Sequence, residues 1–348
     1  MFDFLVEKLA ERKSQILSKI KSLDFNENVA KDFWIDFKIK DGESIVVAGS
    51  DGSYNYKEFK SFTIYAVNSE VLIFDKKLKA IKACDVDILY PYRFTDDRLR
   101  FYMHMFETKT IFNALKNNKI DLVLFDGSII GDIIRPLPFQ LNPDIFVREQ
   151  IKNKFLSKLQ SNNIEIVSKN FFKEIEKMYP NNKVEVQSYL EYLEHLLSLR
   201  NMLEFKEKIV AISKTSTSSN YFDRNIPDMA IFEKLSKAQG YSKPIYVTIN
   251  EKLKREFPIL DEFFKGLEFT IFYARLQDRK NVLKFEIPMK ISEGEIKDLL
   301  SKIKNICVEG YPYLLKKAHN DVVVHDADIE NIARIFGSLE KTGREMLW

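Results

Sequence analysis

Several features that mark particular protein classes are scarce in this 348-residue sequence. It has two cysteines, Cys84 and Cys307, and their wide separation gives neither a zinc-binding spacing nor a disulfide framework. Glycine (11 residues) and proline (10 residues) are too few for a disordered or fibrous chain. These scarcities favour a globular protein, and a reducing cytoplasm is the compartment we expect.

Long apolar runs and an excess of one charge are also missing. No run approaches the ~20 apolar residues that span a bilayer, and the charged N-terminal stretch MFDFLVEKLAERK lacks the apolar segment of a signal peptide. With 54 basic and 51 acidic residues the net charge is only +3, so a nucleic-acid surface has to be a local patch. Hydrophobic residues make up 45% of the chain, with 28 Phe and 15 Tyr, which is ample for a large core.

The order of sequence patterns predicts a mixed α/β domain with helical additions. Residues 1 to about 38 carry apolar side chains at helical spacing, so we assign residues 1–40 to a helical N-terminal arm and residues 41–348 to the domain. A strand is predicted for SIVVAGS, and two strands about a turn near Asn68 are predicted for SFTIYAVNSEVLIFD. A helix is predicted for YMHMFETKTIFNALKN and a further buried strand for IDLVLFDGS. Residues from about 145 to 206 have mainly helical patterns and are expected to form an insertion. The result is a mixed β-sheet flanked by helices.

The second half of the chain returns to strands and ends in helices. Strands are predicted for four segments, EKIVAISKTS, KPIYVTIN, FTIFYARL and VLKFEIP. Ser292 and Glu295 have the spacing of a capping box at the start of a helix. In DADIENIARIFG, Asp326 is expected to cap the last helix and Gly337 to end it.

The tripeptide Asp-Gly-Ser follows an apolar run twice, at Asp51 and at Asp126. Asp-Gly-Ser is a common turn sequence, because the Asp side chain accepts a hydrogen bond from a nearby backbone amide and Gly adopts a positive φ. The ends of strands in α/β sheets are also where functional side chains collect, since the sheet holds them rigidly and the loop leaves them open. Two occurrences after separate strands make a functional interpretation as credible as the structural one.

In the first functional interpretation, the two aspartates are metal ligands. If their strands are neighbours, Asp51 and Asp126 lie side by side, and Glu107 on the intervening helix can point into the same cluster, in the chain order of ribonuclease H-like nucleases. Clustered carboxylates repel one another unless cations lie between them. Hard oxygen ligands favour Mg²⁺ or Mn²⁺, and two such ions about 4 Å apart promote phosphodiester hydrolysis.

In the second functional interpretation, the Asp-Gly-Ser turns hold nucleotide phosphates, as in actin-like ATPases and sugar kinases. That fold needs further glycine-rich contacts, whereas this chain has 11 glycines and no Gly-Gly pair. It also contains neither a P-loop nor a GxGxxG motif. The nucleotide interpretation is therefore the weaker of the two.

Several basic and aromatic residues are candidates for holding a polynucleotide. Lys214 precedes five hydroxyl residues, a composition suited to phosphate contacts, although a polar loop looks the same. Arg275 in a strand can hold either a phosphate or a carboxylate. Lys316 and Lys317 add positive charge beside His319.

The amino-acid sequences of several segments resemble those of the NurA family of DNA-repair nucleases. These segments are SDGSY, LFDGSI, AISKTS, FYARL and, the most specific, GYPYLLKKAHNDVVV, and together they cover nearly the whole domain. The resemblance implies a ribonuclease H-like core and Mn²⁺-dependent cleavage with two ions, Mg²⁺ being a possible substitute. It also implies single-strand endonuclease and 5′-to-3′ exonuclease action on DNA. The implied partners are a second copy of the chain and a hexameric HerA-type ATPase, in the resection of double-strand breaks.

The resemblance also implies roles for individual residues. Asp51, Glu107 and Asp126 take the carboxylate positions, His319 completes the metal site, and Tyr311 lies beside it. In this hypothesis Asp51 bridges both ions while Asp126 and Glu107 each complete one. A non-catalytic adaptor of a ring ATPase, with a vestigial site, is the remaining alternative.

Overall fold

A computed structural model gives the architecture of most of the chain. It describes residues 2–22, 28–90, 93–161, 163–222, 226–235 and 237–337. The central element is a mixed sheet covered by helices on both faces. Within the described ranges, no helix combines the length and apolar character that crossing a membrane requires.

The central sheet contains ten strands among the described residues, and two short strands pair separately. The strands are β1 Trp34–Asp36, β2 Val47–Glu58, β3 Thr63–Asp75, β4 Lys77–Leu89, β5 Leu122–Asp126, β6 Ile209–Ser213, β7 Gly240–Ser242, β8 Ile245–Thr248, β9 Glu268–Arg275, β10 Leu283–Ile287, β11 Cys307–Val308 and β12 Tyr311–Pro312. The order across the sheet is β1-β7-β9-β10-β6-β5-β2-β3-β4, with β8 paired to β9. The pairs β2–β5 and β5–β6 are parallel, and the other pairs are antiparallel.

Helices fill the connections and cover the sheet. They are α1 Phe2–Ser22, α2 Asn28–Lys31, α3 Thr95–Asn117, α4 Ile129–Ile134, α5 Ile145–Phe155, α6 Phe172–Met178, α7 Lys183–Met202, α8 Asp228–Leu235, α9 Ile249–Lys252, α10 Asp261–Lys265, α11 Glu293–Lys304, α12 Tyr313–Val322 and α13 Asp326–Ile335. Helices are therefore present where the sequence predicts a helical insertion, in residues 145 to 206.

Strand β5 shows why the sheet is covered on both faces. Val123 and Phe125 belong to the core that includes α3 and α7, whereas Leu122 and Leu124 belong to the core that includes α11 and α12. Successive side chains of a strand point to opposite faces, so a strand that is apolar throughout is buried on both sides. The carboxyl end of β5 is thus enclosed between two helical layers.

Two predictions of local structure are wrong because strand pairing prevails over local pattern. The helical pattern up to residue 38 gives way to strand β1, where Trp34 pairs with Ser242 of β7. No turn forms at Asn68, because β3 runs through it and pairs with β2 and β4 along its length. The hairpin turn lies instead at Lys76, whose φ is +57°.

The helix-end predictions are confirmed in two cases and corrected in one. Ser292 and Glu295 form the expected capping box of α11, and Gly337 follows the last helix with a φ of +70°. The cap of α13 is not Asp326 but His325, which forms a capping box with Asp328.

Candidate metal centre

The register of β2 and β5 brings Asp51 and Asp126 to the same edge. The two strands are parallel, and the last pair of their register joins Ser50 to Phe125, one residue before each aspartate. β5 ends at Asp126, as predicted, and Gly127 follows with a φ of +140°. The first Asp-Gly-Ser does not end its strand.

Asp51 lies inside β2 because that strand continues to Glu58 in its pairing with β3. The first Asp-Gly-Ser is therefore strand rather than turn, which corrects the expectation that both tripeptides end strands. Asp51 still lies beside the end of a strand. The reason is that β5, the parallel neighbour of β2, ends at this level, whereas β3, the antiparallel neighbour, continues.

Helix α12 brings His319 onto the two aspartates. His319 Nδ1 lies 2.7 Å from Asp51 Oδ2, and ligand atoms of Asp51, Asp126 and His319 all lie within 4.8 Å of one another. The helix approaches β2 closely at Gly49, where a Cβ atom would lie 2.7 Å from Leu314 Cβ. Glycine at position 49 therefore lets α12 pack close enough to β2 for His319 to reach Asp51. The His319 side chain is 52% exposed and that of Asp51 12% exposed, so the cluster opens to solvent on one side.

Glu107 approaches the cluster from α3, on the buried side. A Cβ atom placed on Gly52 would lie 3.5 Å from Glu107 Cβ, which puts this helical position beside the Asp-Gly-Ser segment of β2. Glu107 is 2% exposed, and its Oε1 has no hydrogen-bond partner among the described residues. Burial raises the pKa of Glu107 well above its usual range, and Asp51 and Asp132 raise it further. Glu107 lies outside the group formed by Asp51, Asp126 and His319.

The electrostatics of the cluster fit a divalent cation. Burial raises the pKa of Asp51, and the charge of Asp126 raises it further, whereas the hydrogen bond with His319 lowers it. A buried carboxylate such as Glu107, with an oxygen that has no partner in the described part of the chain, is costly unless a cation compensates its charge. Carboxylate oxygens with one imidazole nitrogen form a donor set that suits Mn²⁺ and accepts Mg²⁺ less well, since Mg²⁺ prefers oxygen.

Lys214 and Tyr311 complete the exposed side of the cluster. Lys214 Nζ lies 2.7 Å from Asp126 Oδ2 and 5.3 Å from the centre of the Tyr311 ring. The Tyr311 hydroxyl donates to Asp126 Oδ2 over 3.5 Å, a long contact. Burial raises the pKa of Tyr311, and the charges of Asp126 and Asp51 raise it further, so the phenol stays protonated at neutral pH.

The remaining basic residues lie apart from the cluster. Lys316 is exposed on α12, and Lys317 pairs with Asp321 on the same helix at 2.7 Å. Arg275 is fully buried, and its guanidinium contacts Glu233 Oε1 at 3.3 Å. The prediction that Arg275 holds DNA is therefore wrong, because a buried side chain that is paired with a carboxylate cannot reach a phosphate outside.

A buried polar cluster beside Glu107 was not identified from the sequence. His104 Nε2 lies 3.2 Å from Asp132 Oδ1, and the His104 and His195 rings lie 5.9 Å apart. Burial lowers the pKa of His195 to about 4 and raises that of Asp132 to about 7. The three-residue spacing of His104 and Glu107, which places them on one side of a helix, was the available signal.

Asp132→Asn is expected to make stability less dependent on pH. The pKa of Asp132 is 3.8 in the unfolded chain and about 7 in the folded protein. Between these two pH values the folded state keeps a proton on Asp132 that the unfolded state has released. Wild-type stability therefore falls as pH rises through that window. Relative to the wild type, the variant should gain about 2–3 kcal/mol between pH 5 and pH 8, measured by urea unfolding.

Asp75→Asn is the matched control, because Asp75 is exposed at the end of β3. This control should follow the wild type at both pH values. An Asp132→Asn variant whose difference from the wild type is the same at pH 5 and pH 8 would contradict the assignment.

The fold and the cluster define an α/β protein with a candidate divalent-metal centre where strand β5 ends beside its parallel neighbour β2. A model of the NurA domain matches residues 45–324. The chain therefore belongs to the NurA family.

Curated relatives and solved structures agree with this membership. A probable DNA double-strand break repair nuclease NurA from Methanocaldococcus jannaschii is 31% identical over 99% of this chain and 92% of its own length. The DNA double-strand break repair nuclease NurA of Saccharolobus solfataricus is 26% identical over 100% and 97%.

Two crystal structures show the same fold. A NurA nuclease from Sulfolobus solfataricus has a TM-score of 0.76 at 24% identity, with 97% of both chains covered. A NurA bound to dAMP and manganese has a TM-score of 0.72 at 16% identity, with 98% of this chain and 99% of that chain covered. At these identities the structures establish the fold alone.

Proposed function

We propose that this protein is a Mn²⁺-dependent DNA nuclease that acts in double-strand break repair. The observation that carries the proposal is the convergence of Asp51, Asp126 and His319 within 4.8 Å at one edge of the sheet. The family membership and the names of the curated relatives, which are break-repair nucleases, support it.

The finer description of the core is ribonuclease H-like. Its support is the chain order of three antiparallel strands, β2 to β4, then α3, then β5 returning parallel to β2. This order places an aspartate on β2 beside one on β5, with a glutamate on the helix between them. Strand β1 belongs to the central sheet, so the boundary at residue 40 is too late, and we propose an arm formed by helix α1 followed by one domain with a helical insertion.

Asp51, Asp126, Glu107 and His319 are the residues that would hold the metal. We propose two Mn²⁺ ions, with Mg²⁺ as a substitute. Bound there, the ions supply stabilisation of the negative charge on the attacking and leaving oxygens of a phosphodiester.

The protein's own groups position the substrate and handle protons. The Tyr311 phenol remains protonated and can donate a hydrogen bond to a phosphate oxygen, and Lys214 can supply positive charge to the same phosphate. His319, held by its bond to Asp51, is half exposed and can either ligate the metal or pass a proton to the departing oxygen. Lys316 and Lys317 extend positive charge along α12.

The proposed activities are single-strand endonuclease and 5′-to-3′ exonuclease cleavage during end resection in the cytoplasm. The proposed assembly is a homodimer that works with a hexameric HerA-type ATPase. Helix α1 supports an interface of this kind, because its apolar side chains are exposed, with Phe2, Phe4 and Leu9 more than half exposed. β4 also ends the strand order and presents an edge to a partner.

Removal of the metal tests the proposed function. Labelled single-stranded DNA should be cleaved with Mn²⁺, left intact with EDTA, and cleaved again when Mn²⁺ is added in excess. The physical reason is that a carboxylate cluster repels the negative charge of a phosphodiester transition state unless divalent cations lie between them.

Measuring ATP hydrolysis alongside DNA cleavage separates the two alternatives. ATP hydrolysis without DNA cleavage would indicate the actin-like or sugar-kinase-like nucleotide protein. Neither activity under any metal condition would indicate a non-catalytic adaptor, and either result would contradict the nuclease proposal.

A further inference from the structure

A cleft lined by both hydroxyl groups and apolar side chains opens beside the metal centre, and none of the proposed metal ligands lines it. Its volume is about 520 Å³, and it lies between helix α4 and the loop that follows β6. Ser128 lines it two residues after Asp126, and Ser213 and Thr215 line it on either side of Lys214. The cleft therefore begins where the carboxylate cluster ends, at the carboxyl ends of the parallel strands β5 and β6, where open α/β sheets bind their ligands.

The loop side of the cleft consists of hydroxyl groups. Thr215, Ser216, Thr217 and Ser218 all line it, with Thr215 and Thr217 exposed and the two serines half-buried. The Ser216 hydroxyl donates to Ser218 Oγ over 3.1 Å and accepts from the Ser218 amide over 3.2 Å, which orders this stretch of loop. Hydroxyl groups together with lysine side chains are common contacts of phosphate and sugar oxygens.

The charge that the cleft presents to solvent is positive. Glu286 is fully buried, and its oxygens accept hydrogen bonds from Ser128 Oγ, the Ile130 amide and Lys284 Nζ, so its negative charge is compensated. Lys252 lies exposed at the rim, where its ammonium group contacts Asn220 Oδ1. A phosphate entering the cleft thus meets a lysine and several hydroxyls.

Part of the cleft wall is apolar. Ile130, Ile134 and Ile271 line it, facing the same space as the hydroxyl loop. The isoleucine side chains suit the face of a base, and the hydroxyl groups with Lys252 suit the sugar–phosphate backbone.

We propose that this cleft binds the nucleotide next to the scissile phosphate of single-stranded DNA. The inference rests on the proposed nuclease function and extends it, because it assigns Lys252, Thr217 and the isoleucine wall to substrate binding. In this arrangement the scissile phosphate lies at Asp126 and Lys214, and the adjoining nucleotide enters the cleft along the loop from Ser213 to Asn220.

The test uses the full-length protein and two variants, Lys252→Ala and Thr217→Val. Binding of a fluorescent 12-mer of thymidylate is measured by anisotropy in EDTA over a range of salt concentrations. Lys252→Ala should weaken binding several-fold at low salt and reduce the slope of log K against log salt by about 0.7, the value for one phosphate contact on a single strand. Thr217→Val should weaken binding without changing the slope.

Lys254→Ala is the matched control, since Lys254 is exposed two residues further along and does not line the cleft. A Lys252→Ala variant with the affinity and slope of Lys254→Ala would overturn the inference. A wild type that binds thymidine monophosphate as tightly as the 12-mer would also overturn it, because the cleft would then take a free nucleotide rather than a strand.

Hydrolysis of bis(p-nitrophenyl) phosphate separates failure of this inference from failure of the proposed function. That diester has no neighbouring nucleotide, so with Mn²⁺ Lys252→Ala should lower cleavage of the 12-mer relative to hydrolysis of the diester, whereas Lys254→Ala should keep the wild-type ratio. A wild type that cleaves neither substrate would overturn the nuclease function and this inference together. A variant impaired equally on both substrates would place Lys252 at the reacting phosphate and overturn the cleft assignment.

Discussion

Asp51→Asn and Asp126→Asn should each reduce Mn²⁺-dependent DNA cleavage by about a thousandfold or more. Each change removes one negative charge from a cluster whose ligand atoms lie within 4.8 Å of one another. Because metal-ion stabilisation of a phosphodiester transition state contributes several kcal/mol, and each 1.4 kcal/mol is about tenfold in rate, losing the ion costs about three orders of magnitude. The measurement is the initial rate of cleavage of labelled single-stranded DNA at saturating Mn²⁺.

The fold should survive both substitutions. Asparagine has nearly the shape of aspartate, and the amide oxygen that Asp51→Asn introduces could still pair with His319. The mutual repulsion of the two carboxylates is relieved, so thermal stability should be unchanged or higher. Isothermal titration calorimetry should show weaker Mn²⁺ binding for both variants.

Asp121→Asn is the matched control for these variants. Asp121 is exposed and directly precedes β5, at the opposite end from Asp126, and its carboxylate accepts from the Val46 amide over 2.9 Å. Cleavage by this control should stay within about twofold of wild type, since it lies far from the reacting centre. Asp51→Asn or Asp126→Asn enzymes that retain a tenth of the wild-type rate would exclude the cluster as the catalytic centre.

Glu191→Ala should lower the free energy of unfolding by about 3–5 kcal/mol, the usual cost of leaving one charge of a buried pair without its partner. Glu191 Oε2 accepts from Arg98 Nε over 2.8 Å, and its Oε1 accepts from Arg98 Nη2 over 2.7 Å and from the Tyr102 hydroxyl over 2.6 Å. All three side chains are buried. The pair joins α7 of the predicted insertion to α3, the helix that carries Glu107. The measurement is urea unfolding followed by circular dichroism.

Two further variants show whether the loss comes from the unpaired charge. Glu185→Ala, on the same helix, breaks a partly exposed pair with Arg93 at 3.5 Å and should cost no more than about 1 kcal/mol. Replacing all three of these side chains with apolar residues, Arg98→Met with Tyr102→Phe and Glu191→Leu, should recover most of the stability. A Glu191→Ala variant that loses less than about 1 kcal/mol would show that the network does not hold α7 against α3.

Much of the candidate site could be predicted from residue types and their order. Asp51 and Asp126 stand out because each follows an apolar run, and strand order alone predicts that they lie together if their strands pair. The resemblance to the NurA family, confirmed by the match over residues 45–324, added His319 and Tyr311. The structure places both within reach of the aspartates.

Other features of the site could not be predicted because they depend on burial. Nothing in the local sequence of FYARL separates an arginine that faces a groove from one that pairs with Glu233 inside the protein. Lys214 pairs with Asp126 because β6 is the parallel neighbour of β5 and its Ile212 lies beside Asp126, a strand order that the local sequence does not show. The pair formed by His104 and Asp132 joins two helices whose packing has no local signature.

The sequence by itself determined the type of most of the longer strands and helices, where helix caps of the Ser292 type form, and which side chains are available as metal ligands. Those properties follow from local periodicity and from the chemistry of single residues. Only the tertiary structure decided that β2 runs on past Asp51 to Glu58, that α12 approaches over Gly49 to deliver His319, and that Arg275 is buried. Such outcomes depend on register and packing between segments far apart in the chain, and the energy of those contacts outweighs local preference.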